Sequence, residues 1–187
     1  MNWWLYFLDK TNFTVTTLTA AVILFTRSAG VAYFGSTVLA TTLSVKYVLK
    51  RLIKQPRPPV GRKKTYGCAF RELLRRYKLL NRHVHRMPST HSASVSFYAT
   101  YITLSALQLP LHPSLPPAAR LFPVVAIPWA ILVMLSRIWL GHHTVAQIAA
   151  GCGYGIACAW LSLKLWTAGG LNAYGSAAEQ LVHEWLR

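Results

Sequence analysis

Five apolar runs decide what this chain can fold into. Phe13 to Thr26 is apolar and Thr-rich, and Ala29 to Leu49 runs for 21 residues with one cation, Lys46, near its end. Ser92 to Leu111, Leu121 to Leu140 and Thr144 to Trp166 complete the set. A bilayer core needs about 20 apolar residues in a helix, and lipid offers no hydrogen-bond partner to a bare peptide group. The expected fold is therefore all-α, an integral membrane helical bundle of about five transmembrane helices. Residues 1–187 are expected to form a single domain.

Composition points the same way. Apolar residues make up 53% of the chain and charged residues 13%, against roughly 25% charged in ordinary soluble domains. A water-soluble protein with a very apolar core is the alternative, and the length of the runs argues against it. Trp3, Trp4, Tyr6 and Phe7 suit a membrane–water interface. Met1–Leu8 lacks a basic leader and a small-residue cleavage site, so the first membrane helix is expected to act as the targeting signal. Cys68, Cys152 and Cys158 form no metal-ligand pair and read as small hydrophobes.

The net charge is +16, and thirteen of the twenty Lys and Arg fall between Lys50 and Arg86. The charge is one block, suited to anionic lipid or a phosphorylated substrate. Nucleic acid is excluded as a partner, because the block flanks membrane spans and carries no recognition motif. Within it, Phe70, Leu73, Leu74, Tyr77 and Leu80 recur at helical spacing between Arg71, Arg75, Arg76 and Lys78. That pattern predicts a basic amphipathic helix over Cys68 to Leu80, lying on the membrane surface or packed on the protein. Gly169-Gly170 closes the fifth run, and Leu181, Val182, Trp185 and Leu186 mark an amphipathic tail.

With five spans, the Lys50–Arg86 connection and the Leu140–His143 connection fall on one membrane face. Three polar clusters meet there. Lys50 and Arg57 lie about two helical turns apart, and Arg offers a planar fork of donors to phosphate oxygens. Met87-Pro88-Ser89-Thr90-His91-Ser92 reads as a helix N-terminus, whose N–H groups bind anions. His91 on its first turn can give a proton to a leaving oxygen. Arg137 adds a further phosphate clamp. His143 and Gln147 are i and i+4 on one helical face, so the Gln carbonyl can accept from one ring N–H and leave the other nitrogen free to attack. His142 points elsewhere on that helix. No carboxylate cluster is present to hold Mg²⁺.

These clusters resemble the motifs of the type-2 phosphatidic acid phosphatase superfamily. Lys50-Arg51-Leu52-Ile53-Lys54-Gln55-Pro56-Arg57-Pro58 resembles its K-x6-R-P motif. Pro88-Ser89-Thr90-His91 resembles P-S-G-H, with Thr in place of Gly. Ser136-Arg137, five residues and His143 resemble S-R-x5-H-x3-D, with Gln147 in place of Asp. The resemblance covers positions 50–147. It implies that Lys50, Arg57, Arg137, Ser89 and the Thr90 amide bind phosphate. It implies that His143 forms a phosphohistidine, that His91 protonates the leaving oxygen, and that no metal or other cofactor takes part. Dolichyl-diphosphate phosphatases are similar in carrying His-Thr-x-x-Gln and Met-Pro-Ser-Ser/Thr-His. Their likeness implies a polyprenyl diphosphate substrate and an active site on the lumenal face of the endoplasmic reticulum.

A broader lipid monophosphatase and a catalytically weak membrane protein with a lipid-binding basic loop are the competing expectations. Orientation is contested as well: the Lys and Arg count puts the basic face in the cytoplasm, against the lumenal site that the resemblance implies.

Overall fold

Each of the five apolar runs folds as a helix, because within a run no residue offers the backbone a better partner than the carbonyl one turn back. The computed structural model describes residues 11–53, 88–111, 115–140 and 142–185. Arg57, the aromatic cluster at residues 1–10 and the expected amphipathic helix at Cys68–Leu80 lie outside the described residues.

Helix α1 spans Thr11–Thr26 and α2 spans Ala29–Ser44. The chain then continues through a π-helical turn, Val45–Leu49, and one more α-turn, Lys50–Ile53. Helix α3 is Thr90–Gln108. A 3₁₀ turn at Pro117–Leu121 leads into α4, Phe122–Trp139. Helix α5 is Val145–Thr167 and α6 is Leu171–Trp185. No strand occurs among the described residues. Arg27 makes the α1–α2 turn with φ 50°, left-handed backbone for a non-glycine residue. Gly30 lies in α2, where a Cβ would sit 3.4 Å from the Trp166 ring.

Helix α3 is the centre of the bundle, packed between α4 and α5. Two glycines of α5 let it approach. A Cβ on Gly151 would sit 2.6 Å from the Ser89 carbonyl, and one on Gly155 would collide with the Ala93 carbonyl. Gly153, on the other face, meets nothing within 4 Å. The glycines of α5 thus split by helical phase, and Gly151 and Gly155 form a small-xxx-small contact against α3. Phe97, Tyr101, Val38, Ala159 and Leu163 close the core on one side of α3, and Val95, Ala130 and Val133 on the other.

Hydroxyl pairs join the helices between these layers. Thr19 Oγ1 and Tyr98 Oη are 2.8 Å apart, Thr42 Oγ1 and Ser94 Oγ 3.0 Å, and Ser44 Oγ and Tyr154 Oη 2.7 Å. Tyr33 donates to the Ser162 carbonyl at 2.9 Å. Such bonds hold helices together where lipid cannot compete for them.

The large apolar side chains face outward. Leu24 and Phe25 of α1 are 76% and 77% exposed, and Val124 and Val125 are each 70% exposed. Exposed apolar surface of this extent suits acyl chains. Two segments, Pro117–Trp139 and Val145–Thr167, are long and apolar enough to cross a membrane by themselves. The other three runs fall short for identifiable reasons. Helix α1 has 16 residues, α2 is interrupted by its π turn, and α3 carries Ser92, Ser94 and Ser96. Those serines are buried in the bundle.

Helix α6 docks at the end of the bundle opposite Lys50. Gly175 lies against the Trp166 ring, and Glu179 Oε2 accepts from Ala29 N–H at 3.3 Å. A carboxylate there caps α2 and complements its dipole. Tyr174, Leu181 and Trp185 point away from the bundle, in line with the expected amphipathic tail.

Candidate active site

The alternating direction of α2, α3, α4 and α5 brings Lys50, Ser89–His91, Arg137 and His143 to one end of the bundle. Lys50 comes directly after the π turn. A π turn carries one more residue than an α turn, so it rotates the next helical turn by about 100° around the axis. Val45 inside the turn is fully buried, and Lys50 just beyond it is half-buried. Burial and the neighbouring charge of Lys46 both lower the Lys50 pKa. An incoming phosphate would relieve both effects.

Ser89 is the N-cap of α3, in extended backbone with φ −68° and ψ 117°. Its hydroxyl accepts from Ser92 N–H at 3.3 Å, and the side chain is fully buried. Its own N–H donates to the Gln147 carbonyl at 3.2 Å. This bond pins the start of α3 to the first turn of α5. Thr90 and His91 come next on that turn, both half-buried. A helix N-terminus directs N–H groups and a partial positive charge at whatever binds there.

Arg137 lies on the last turn of α4 and is 2% exposed. Its carbonyl accepts from both His142 N–H, at 3.0 Å, and His143 N–H, at 3.3 Å. The connection to α5 therefore curls back over Arg137 and holds His143 beside it.

Gln147 is 1% exposed and closes a capping box with Thr144. The Thr144 hydroxyl accepts from Gln147 N–H at 3.3 Å, and Gln147 Oε1 accepts from Thr144 N–H at 3.2 Å. The same Oε1 lies 3.1 Å from His143 Nδ1. This arrangement assigns the histidine tautomer. A backbone N–H can only donate, so the amide atom facing it is the oxygen and not the NH₂. His143 Nδ1 faces that oxygen and must carry the proton. The Nε2 lone pair is left available.

The His143 pKa is lowered, first by burial. The Gln147 hydrogen bond opposes this shift, while the charges of Lys50, His142 and Arg137 add to it. Lys50 from the turn after α2 and Arg137 from α4 thus place two cations beside this imidazole, with the His142 ring on the α4–α5 connection. The acids among the described residues, Glu179 and Glu184, both lie on α6. No group of three His, Cys, Asp or Glu capable of holding a metal ion occurs among the described residues.

The sequence-predicted residues Lys50, Ser89, Thr90, His91, Arg137, His143 and Gln147 thus share one end of the bundle, and Arg57 lies outside the described residues. Sequence reasoning placed His142 elsewhere on the helix that carries Gln147; it lies ahead of the Thr144 N-cap and is half-buried. It also missed the π turn, for which residues 45–49 give no signal, and the contribution of the Thr144 backbone.

A model of the PAP2 superfamily matches residues 29–169, which include every described site residue. Lipid phosphate phosphatase gamma of Arabidopsis thaliana is 33% identical over 85 residues, covering 38% of this chain. The match spans 31% of that relative's length, less than a third of it. No solved structure matches. The family match takes in the end of α2, the start of α3 and the α4–α5 connection together, and on that extent the chain belongs to the PAP2 superfamily.

Proposed function

We propose that this protein is a metal-independent membrane lipid phosphatase that hydrolyses a polyprenyl diphosphate, such as dolichyl diphosphate, to the monophosphate. The observation that carries the reading is the Gln147 Oε1 contact to His143 Nδ1 beside Lys50 and Arg137, which leaves a neutral Nε2 next to fixed positive charge. In the proposed reaction Nε2 attacks the terminal phosphorus while the phosphorus–oxygen bond to the leaving phosphate breaks. His91 gives a proton to that leaving oxygen. His91 then takes a proton from water, which attacks the phosphohistidine, and inorganic phosphate departs. Lys50, Arg57, Arg137, the Ser89 hydroxyl and the Thr90 amide carry the charge of the transferred group.

The reading takes α1 to α5 as five spans. The outward apolar faces of α1 and α4 and the burial of the α3 serines support it. The diphosphate, the endoplasmic reticulum and a lumenal site rest on the likeness to dolichyl-diphosphate phosphatases at Gln147. A broader lipid monophosphatase, acting on phosphatidate or a sphingoid-base phosphate, is the second reading. The partial likeness to a lipid phosphate phosphatase favours it. Phosphate release from dolichyl diphosphate and from phosphatidate, measured in detergent micelles with EDTA, separates the two. Faster release from the diphosphate is expected. Preference for phosphatidate overturns the substrate, and an absolute metal requirement overturns the mechanism.

The pH profile offers a second test. His143 must be neutral to attack, and its pKa is lowered below the ordinary 6.5. The acid limb of kcat/KM should therefore lie below pH 6.5, and activity should fall only as pH drops through the lowered value. Gln147→Glu puts a carboxylate against Nδ1–H and stabilises the imidazolium. It should move the acid limb up by about one unit. An unmoved limb would assign it to another group.

A further inference from the structure

We infer that Ser92 is a positioning residue that makes the Ser89 hydroxyl an obligate hydrogen-bond donor toward a bound phosphoryl oxygen. The inference rests on the phosphatase reading above and extends it to a residue outside the three motifs.

Ser89 Oγ receives two hydrogen bonds from one residue. Ser92 N–H donates at 3.3 Å, as in any N-cap of this kind, and the Ser92 hydroxyl donates at 3.0 Å. A hydroxyl oxygen has two lone pairs and one proton. With both lone pairs engaged, the proton is what Ser89 has left to offer. Among the described residues nothing accepts it.

Three other hydroxyls of the bundle show the commoner arrangement. Ser44 donates to the Thr41 carbonyl, Thr103 to the Ala99 carbonyl and Ser136 to the Val133 carbonyl. Each directs its proton to a carbonyl three or four residues back in its own helix. Ser89 starts its helix and has no turn behind it to accept. Ser92 has the turn but donates to Ser89 instead.

The location makes this donor useful. Ser89 N–H is bonded to the Gln147 carbonyl, and the Gln147 side chain holds His143. Ser89 is fully buried there, so water does not compete for its proton. A tetrahedral oxyanion held by Lys50 and Arg137 next to His143 supplies the missing acceptor. Ser92 is close-packed as well as polar: a Cβ on Gly151 would sit 3.2 Å from the Ser92 Cβ.

A double-mutant cycle with vanadate as the phosphate analogue tests the inference. Ser89→Ala, Ser92→Ala and the double variant are assayed for vanadate inhibition and for kcat and KM. Ser92→Ala is expected to weaken vanadate inhibition about 3- to 10-fold, since one neutral hydrogen bond is lost. Ser89→Ala should weaken it further, and Ser92→Ala should add less than about twofold in the Ser89→Ala background. Ser92→Cys keeps the packing with a weaker donor and should fall between wild type and Ser92→Ala. Losses that multiply in the double variant, or a silent Ser92→Ala, overturn the inference while the phosphatase reading stands. A wild-type protein that releases no phosphate from any lipid phosphate overturns that reading itself.

Discussion

His143→Ala is expected to abolish phosphate release, with kcat falling on the order of 10⁴-fold or more. The size reflects what the side chain supplies. It is a buried imidazole whose Nδ1 proton is fixed by Gln147 Oε1 and whose Nε2 is free to attack. Lys50 and Arg137 bear on it from two other elements. Alanine leaves those cations able to bind a phosphorylated lipid but removes the atom that would become bonded to phosphorus. Binding should therefore survive while turnover is lost. His142→Ala is the control, because it keeps the backbone bonds to the Arg137 carbonyl and should retain activity within about tenfold. His91→Ala should cost less than His143→Ala, about 10²- to 10⁴-fold, the usual value of a general acid. Release of inorganic phosphate in EDTA, with the three variants beside wild type, measures all of this. Full activity in His143→Ala would sink the enzymatic mechanism.

Much of the bundle was legible in the sequence because apolar runs of this length leave the backbone few alternatives to helix. Every helix from α1 to α5 falls within a few residues of its apolar run, and Gly170 with φ 74° stops α5 where Gly169-Gly170 predicted. Hydropathy failed for α3. Its Ser92, Ser94 and Ser96 lower its apolar character, yet they are buried against the rest of the bundle. A helix surrounded by protein answers to its neighbours and not to lipid, and no property of one helix reveals that.

The site was legible to the extent that it depends on spacing. The four-residue separation of His143 and Gln147 predicted their contact, and they are hydrogen-bonded, but His143 lies ahead of the Thr144 N-cap and not on the helical face expected for it. The replacement of Asp by Gln left the role of position 147 open from sequence. The geometry shows the amide doing what orientation requires, since a backbone N–H fixes its oxygen toward the ring. What spacing could not give was the way the elements meet. The π turn before Lys50, the reach of His142 and the bond tying Ser89 to Gln147 arise from packing between segments distant in the chain, or from a local helical irregularity.

The second large effect is expected at a residue with no chemistry. Gly151→Ala should impair both stability and activity, while Gly153→Ala, two residues away on the same helix, should be neutral or slightly stabilising. Alanine is preferred over glycine in a helix by about 1 kcal/mol, so propensity alone favours both changes. Packing decides between them. At Gly153 the new methyl meets nothing within 4 Å. At Gly151 it lands 2.6 Å from the Ser89 carbonyl oxygen and 3.3 Å from the Ser89 nitrogen. Those are backbone atoms at the start of α3 and cannot swing aside, so the two helices must separate. Overpacking of this kind costs about 1–3 kcal/mol. Separation also stretches the 3.2 Å bond from Ser89 N–H to the Gln147 carbonyl, which ties the turn proposed to bind phosphate to the residue hydrogen-bonded to His143. A misplacement near 1 Å at a reacting centre costs about 10²-fold in rate. The activity loss in Gly151→Ala should therefore exceed what its lowered thermal midpoint in detergent explains, and kcat should fall in protein that is still folded. Equal behaviour of Gly151→Ala and Gly153→Ala would mean that the close approach of α3 and α5 does not set the geometry of the site.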